Sequence, residues 1–263
     1  MSNILDKIVS VKRKEVEASV RLRPMRDVMR AADSAPPAID FLAPLRAGQS
    51  IRLIAEVKKA SPSKGIIRQD FEPVAIAQAY EQGGASCISV LTDEQFFQGS
   101  LEYLAAIRAA VELPLLRKDF IIHPYQIFEA RAHGADAILL IAECLTRQEL
   151  KGLHQLTREL GMHALIELYL PANLDNVLNT GTELIGVNNR DLTTFEVNLE
   201  HTIKLRKSIP TNCVLVGESG IATRADALRL QSSNVQAMLV GESLMRQRDI
   251  AAATRTLLGT ALV

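Results

Sequence analysis

Residues 136–169 read DAILLIAECLTRQELKGLHQLTRELGMHALIELY. An unbroken apolar run from Ala137 to Ala142 gives way to a polar turn. An amphipathic pattern follows from Arg147 to Leu160, with leucines every three or four residues, and a second apolar run starts at Met162. Strands that are apolar at successive positions are buried on both faces, which is the habit of a parallel sheet covered by helices. The same unit recurs in both directions. Upstream runs start at Ile51 (IRLIAEVK), Ser86 (SCISVLT) and Pro114 (PLLRKDF). Downstream runs start at Leu184 (LIGVNNR), Cys213 (CVLVGES) and Val235 (VQAMLVG). The eight starts lie 22 to 35 residues apart, each interval long enough for a loop and a helix. Amphipathic patterns at 74–82, 101–110, 125–133, 172–178, 199–207 and 224–230 fill the other intervals, and 249–258 closes the series. Eight strand–helix units in a row predict an α/β protein, a closed parallel (β/α)8 or TIM barrel. The competing arrangement is an open doubly wound sheet. That would be expected to carry a glycine-rich turn after its first strand, and AEVKKASPSKG at 55–65 is not G-x-G-x-x-G.

The rest of the chain fits a single domain over residues 1–263, with a helical extension at 1–48 and the barrel at 49–263. The sequence ADSAPPAID, around Pro36 and Pro37, separates the two parts. The extension reads as one or two helices packed outside or over an end of the barrel, either as a structural cap or as a contributor to the substrate pocket. At its start, Ile4, Leu5, Ile8, Val9 and Val16 are spread among charges, unlike a signal peptide. No apolar run approaches the roughly 20 residues that span a bilayer. Thirty Lys and Arg against thirty Asp and Glu leave no net charge, which removes the basic footprint of a general nucleic-acid binder. Cys87, Cys144 and Cys213 are odd in number, far apart and flanked by apolar residues, as expected of reduced core thiols. A cytoplasmic protein is expected, with no membrane or nucleic-acid contact and no obligate protein partner.

In such barrels the C-terminal strand ends form the working face. Here they are rich in ionisable and amide groups: Glu56-Val57-Lys58, Arg117-Lys118-Asp119, Glu167, Asn188-Asn189-Arg190, Glu218-Ser219-Gly220 and Gly241-Glu242-Ser243. Alternation along a strand puts Glu56 and Lys58 on one face, and likewise Asn188 and Arg190. A single charge at a strand end is commonly a solvated cap. A set on six strands is expected to compensate internally, because charges inside a narrow barrel are costly unless paired. Glu56, Lys58, Lys118, Glu167 and Glu218 make such a set, to which Arg190 adds a cation. A lysine held protonated near a carboxylate can serve as general acid beside a general base. The alternative for the same residues is a purely structural ion network.

Gly220 and Gly241 each precede a predicted helix, where glycine lets backbone N–H groups approach a phosphate. The loop Ser61-Pro62-Ser63-Lys64-Gly65 is either a plain surface loop or a lid with Ser61 or Lys64 touching an anion. His123, His133, His154, His163 and His201 show no metal-site pairing, so neither metal nor cofactor is expected.

Seven segments in order carry a family resemblance: ILDKIVSVKRKEVE, AEVKKASPSKG, LTDEQFFQGS, LLRKDFIIHPYQI, GVNNRDLTTFEVNL, GESGI and VGESLM. Together they run from Ile4 to Met245 and resemble the indole-3-glycerol phosphate synthases. The resemblance implies a (β/α)8 barrel with an extra N-terminal helical segment. It implies a lyase that closes the indole ring of 1-(2-carboxyphenylamino)-1-deoxyribulose 5-phosphate with loss of carbon dioxide and water. It assigns the general acid to Lys118, the general base to Glu167 and a second acid to Lys58. Glu56 would orient the lysines, and Asn188 and Ser219 would support the reacting groups. On the residues themselves, Arg190 and Lys58 suit the substrate carboxylate. Ser61, the Gly220 and Gly241 loops and the backbone N–H of Glu242 suit the phosphate. The resemblance makes Phe97, Phe120, Leu139 and Leu192 candidates for an apolar slot; the alternative is ordinary core packing, which is favoured for Leu139 alone. Two rivals share the late glycine loops: a phosphoribosyl isomerase or epimerase, and a non-catalytic sugar-phosphate binder. Glu56, Lys58, Lys118 and Glu167 together favour the synthase. A chain ending at Val263 leads to the expectation of a monofunctional enzyme.

Overall fold

The computed structural model describes residues 4–191 and 196–260. Among these, β1 (Arg52–Val57), β2 (Cys87–Leu91), β3 (Leu115–Lys118), β4 (Ala137–Ile141), β5 (His163–Leu168), β6 (Leu184–Asn188), β7 (Val214–Glu218) and β8 (Ala237–Val240) close into a parallel barrel. Closure is between β8 and β1, with Ile54 opposite Leu239. The helices between the strands begin where the sequence offers a cap. Thr146 and Thr223 each form a reciprocal capping box, with Glu149 and Asp226, and His123 forms one with Gln126.

Strand alternation sorts the core into two shells. Leu53, Ile88, Ile138, Ile166 and Leu215 point outward against the helices. Ile54, Leu116, Leu139, Leu165, Val216 and Leu239 point inward and fill the barrel. Two residues further along the same inner faces come Glu56, Lys118, Glu167 and Glu218. The apolar layer is thus the floor on which the charged layer stands.

The extension closes both ends. Phe41, Leu42 and Leu45 are buried with the inward layer and plug the N-terminal end of the barrel. Asp136 fastens this plug, accepting from the Ile39 N–H at 2.7 Å and the Leu115 N–H at 2.8 Å. Helix α1 (Ile4–Leu22) approaches the opposite end, where Ile4, Leu5 and Ile8 line the mouth. Helix α2 (Met25–Asp33) packs on the Pro124–Ala132 helix. The extension thus packs against the N-terminal end through one part and lines the C-terminal cavity through another.

Cys87 and Cys213 are buried free thiols, while Cys144 is only partly buried in the turn after β4. Core placement thus suits two of the three. No helix among the described residues is long and apolar enough to cross a membrane.

Candidate active site

A cavity of about 210 Å³ opens at the C-terminal end of the barrel. The strand ends bring Glu56, Lys58, Lys118, Glu167, Asn188, Arg190 and Glu218 to its wall, as strand alternation required. Ser61, Phe97, Phe120 and Leu139 line it too, together with Ser219, Gly220, Gly241 and Glu242. Leu192 lies outside the described residues.

Lys118 is the centre of the charged layer. Its Nζ lies 3.1 Å from Glu167 Oε2 and 3.3 Å from Glu218 Oε2. The other oxygen of Glu167 accepts from Asn188 Nδ2 at 2.9 Å, and Asn188 Oδ1 accepts from the Arg190 N–H at 3.0 Å. Lys58 pairs with Glu56 on the same strand face. The buried Tyr80 hydroxyl donates to the Glu56 carbonyl at 3.0 Å, fixing β1 from behind.

The neighbours set opposite charge states for carboxylates of one type. Burial works against ionising Glu56, but Lys58 and Lys118 outweigh it and hold its pKa below the usual value. Burial of Glu218 is reinforced by the nearby charges of Glu167 and Glu56, and its pKa is pushed up to about 8 despite Lys118. Burial also disfavours the charged form of Lys118, yet Glu167, Glu218 and Glu56 prevail and raise its pKa above the ordinary lysine value. Lys118 is consequently an ammonium at any working pH.

The glycine turns have reasons the sequence did not disclose. A Cβ on Gly241 would lie 2.5 Å from Glu56 Oε1 and 3.0 Å from Glu56 Cβ, so this glycine makes room for the carboxylate. Gly220 has φ +77°, and a Cβ there would collide with Val197. Ser219 before it is also left-handed, at φ +65°, an unusual state for a side-chain-bearing residue that surrounding contacts must enforce. Asn189 supplies one, donating from Nδ2 to the Ser219 carbonyl at 3.2 Å while its Oδ1 accepts from Thr202.

Gly241 caps the short helix Glu242–Met245, whose Ser243 hydroxyl donates to the Ile221 carbonyl at 2.9 Å and ties the two late loops together. The Glu242 carboxylate is paired with Arg246, leaving its backbone N–H as the group suited to an anion. The Ser61 loop forms a small hairpin, Ala60–Ser61 against Gly65–Ile66.

Two residues escaped the sequence reading. Gly186 lies inside β6, and a Cβ there would strike Glu218 Oε1 and stand 3.3 Å from its Cδ. Its presence in a strand-like run was the available signal, since an interior strand glycine often marks close approach. Lys12, in α1, is buried beside Asp93 and Asp119, and its helical charge pattern gave no sign of this.

A closed parallel barrel whose mouth threads ammonium groups between carboxylates, beside two glycine turns, places the chain among the TIM barrels. Comparison with known proteins is more specific. The family model described as indole-3-glycerol phosphate synthase matches residues 5–257, and the chain belongs to that family. Its members are decarboxylating lyases of tryptophan biosynthesis, acting on a small-molecule phosphate. The indole-3-glycerol phosphate synthase of Rhodopirellula baltica is 54% identical over 257 residues, covering 98% of this chain and 99% of that protein. That of Chromobacterium violaceum is 50% identical over 252 residues, covering 95% of each. Among solved structures, 3-hexulose-6-phosphate synthase from Salmonella typhimurium aligns with TM-score 0.66 at 11% identity, over 80% of this chain and 98% of that one. At such identity the likeness speaks for the barrel alone.

Proposed function

We propose that Lys118 and Glu167 divide the acid–base work of converting 1-(2-carboxyphenylamino)-1-deoxyribulose 5-phosphate into indole-3-glycerol phosphate, carbon dioxide and water. The observation that carries the assignment is the position of the Lys118 ammonium between Glu167 and Glu218 at the cavity wall.

Ring closure needs a proton at the ketone oxygen as the ring carbon that bears the carboxylate attacks the carbonyl carbon. An ammonium supplies both proton and field where the alkoxide develops. The Glu167 and Glu56 carboxylates that favour the charged form of Lys118 also keep it from losing its proton to weak bases. A developing alkoxide is a stronger base than an amine, so it can still take that proton. The carboxylate then leaves as carbon dioxide and its bonding pair restores the aromatic ring. In the last step Glu167 removes a proton, Lys58 protonates the departing hydroxyl, and water is lost. Glu56 balances and orients Lys58, while Asn188 and Ser219 hold their neighbours in place.

Arg190 and Lys58 face the substrate carboxylate, and Ser61, Glu218, Gly220, Gly241 and the Glu242 N–H line the path of the sugar phosphate. Phe97, Phe120 and Leu139 hold the anilino ring against the ribulose chain in a near-attack geometry. The chain works as one barrel domain in the cytoplasm, without metal, organic cofactor, nucleic acid or obligate protein partner.

The test is fluorescence after mixing the protein with the substrate. The chain has no Trp and four Tyr, so an indole signal stands on a quiet background. Its appearance without added metal or cofactor is the expected result. Silence from folded protein and verified substrate would overturn the reading.

A further inference from the structure

One buried ammonium of the N-terminal helix links the two aromatic residues of the cavity wall. Lys12 Nζ lies 2.9 Å from Asp93 Oδ2 and 2.9 Å from Asp119 Oδ1, and 2.6 Å from Glu15 Oε2. Lys12, Asp93 and Asp119 are 4%, 0% and 3% exposed, so these pairs are shielded from water. Each aspartate uses an oxygen to fix the backbone that carries one phenylalanine. Asp93 caps the short helix Glu94–Phe97, its Oδ1 accepting from the Phe96 N–H at 2.8 Å. Asp119 Oδ1 accepts from the Phe120 N–H at 2.8 Å. The rings of Phe97 and Phe120 stand 6.1 Å apart, tilted by 38°.

Asp119 is also held by Arg117 and Thr92, at 3.1 and 2.6 Å from its Oδ2, and Thr92 ties the backbone before Asp93 to that before Asp119, but neither residue touches the Asp93 carboxylate. Lys12 is the group that spans both. Its removal would leave two buried carboxylate oxygens no more than about 6 Å apart facing one another, and repulsion in a dry interior would drive them apart. The backbone of each phenylalanine would move with its aspartate.

We propose that Lys12 is a positioning residue that sets the spacing of the Phe97–Phe120 slot and hence the enzyme's selectivity for the aromatic ring of its substrate. This rests on the reading that the slot holds the anilino ring. In this role α1 contributes more than the apolar contacts of Ile4, Leu5 and Ile8. Its ammonium gauges the width of the slot from outside, without touching the substrate.

The experiment compares Lys12→Met with wild type on the natural substrate and on one with a methyl group on its aromatic ring. One methylene in an apolar site is worth about 10–200-fold in discrimination. The expected result is a kcat/KM for the natural substrate lowered by about 10-fold, with KM raised and kcat reduced, and a ratio of kcat/KM for the two substrates that falls by at least about 5-fold. Inhibition by inorganic phosphate should be unchanged.

If burying Asp93 without its cation prevents folding of Lys12→Met, Lys12→Met/Asp93→Asn decides the matter. Asparagine keeps the helix cap while removing one of the two charges. A folded variant of either kind with wild-type KM and ring selectivity would overturn the proposal. Phe97→Ala is run alongside, and an unchanged substrate ratio there would remove the slot, and the proposal with it. Wild-type protein that fails to turn over the natural substrate would instead overturn the functional reading itself.

Discussion

Replacing Glu218 with Gln should stabilise the fold, and increasingly so as pH rises. The side chain is 2% exposed, lies among other carboxylates and titrates near 8 rather than at the ordinary 4.5. Between those two values the unfolded chain has released this proton while the folded chain still holds it. The unfolded state therefore binds fewer protons, so stability attributable to this group falls as pH rises, by about 1.4 kcal/mol per pH unit. The decline begins near pH 4.5 and levels off near pH 8, where the native carboxyl also ionises. At pH 5 the penalty is below about 1 kcal/mol, at pH 7 about 3 kcal/mol, and at pH 8 about 4 to 5 kcal/mol. Glutamine keeps the shape and the neutral charge that the native site already holds below pH 8, and it has no proton to lose. Urea unfolding of wild type and E218Q at pH 5, 6, 7 and 8 measures the difference directly. The advantage of E218Q should be small at pH 5 and grow by about 3 to 4 kcal/mol toward pH 8. A difference that stays flat across this range, or shrinks, would refute the reasoning. Because the readout needs no substrate, it tests the electrostatics of the site separately from its catalytic assignment.

Lys118→Ala and Glu167→Gln should both fold yet lose about 10²–10⁴-fold in turnover, read by indole fluorescence; near-wild-type rates in both would reassign the acid and base. Gly186→Ala should push the Glu218 carboxylate off Lys118 and destabilise by about 1–3 kcal/mol in urea unfolding, since the new methyl also meets Leu165 Cδ1 at 3.3 Å. An unaltered midpoint would show that Glu218 yields without cost. Gly241→Val should crowd both Glu56 and the anion path, raising KM and weakening competition by inorganic phosphate. Unchanged phosphate inhibition would place the phosphate elsewhere.

The barrel was legible because buried parallel strands announce themselves as apolar runs at helix-sized intervals, and the strand-end chemistry followed from a period of two. Once β1 is a strand, Glu56 and Lys58 must share a face, and the face that buries Ile54 is the interior. What stayed hidden depends on contacts between distant segments. Gly186 looks like a weak point in a strand until Glu218, on the neighbouring strand, is seen to need its space. Lys12 belongs to a helix thick with surface charges, and nothing in its spacing separates the one ammonium that turns inward. At Gly241 the sequence suggests a ligand's approach, and the fold adds a second demand, room for the Glu56 side chain.

The charged layer also explains why one residue type can perform different tasks at a single mouth. Glu56 and Glu218 are both buried, and desolvation alone would make both neutral. Glu56 pairs with Lys58 and is also favoured by Lys118, so it is ionised. Glu218 shares Lys118 with Glu167, and the second carboxylate cancels much of what the ammonium offers. One lysine cannot fully neutralise two buried acids, so one of them keeps its proton. The outcome is a mouth in which the Lys118 ammonium stands within reach of Glu167 and of the neutral Glu218, beside the ionised Glu56. The position of that ammonium, fixed by β3 and the apolar layer below it, therefore sets the charge state of the whole mouth.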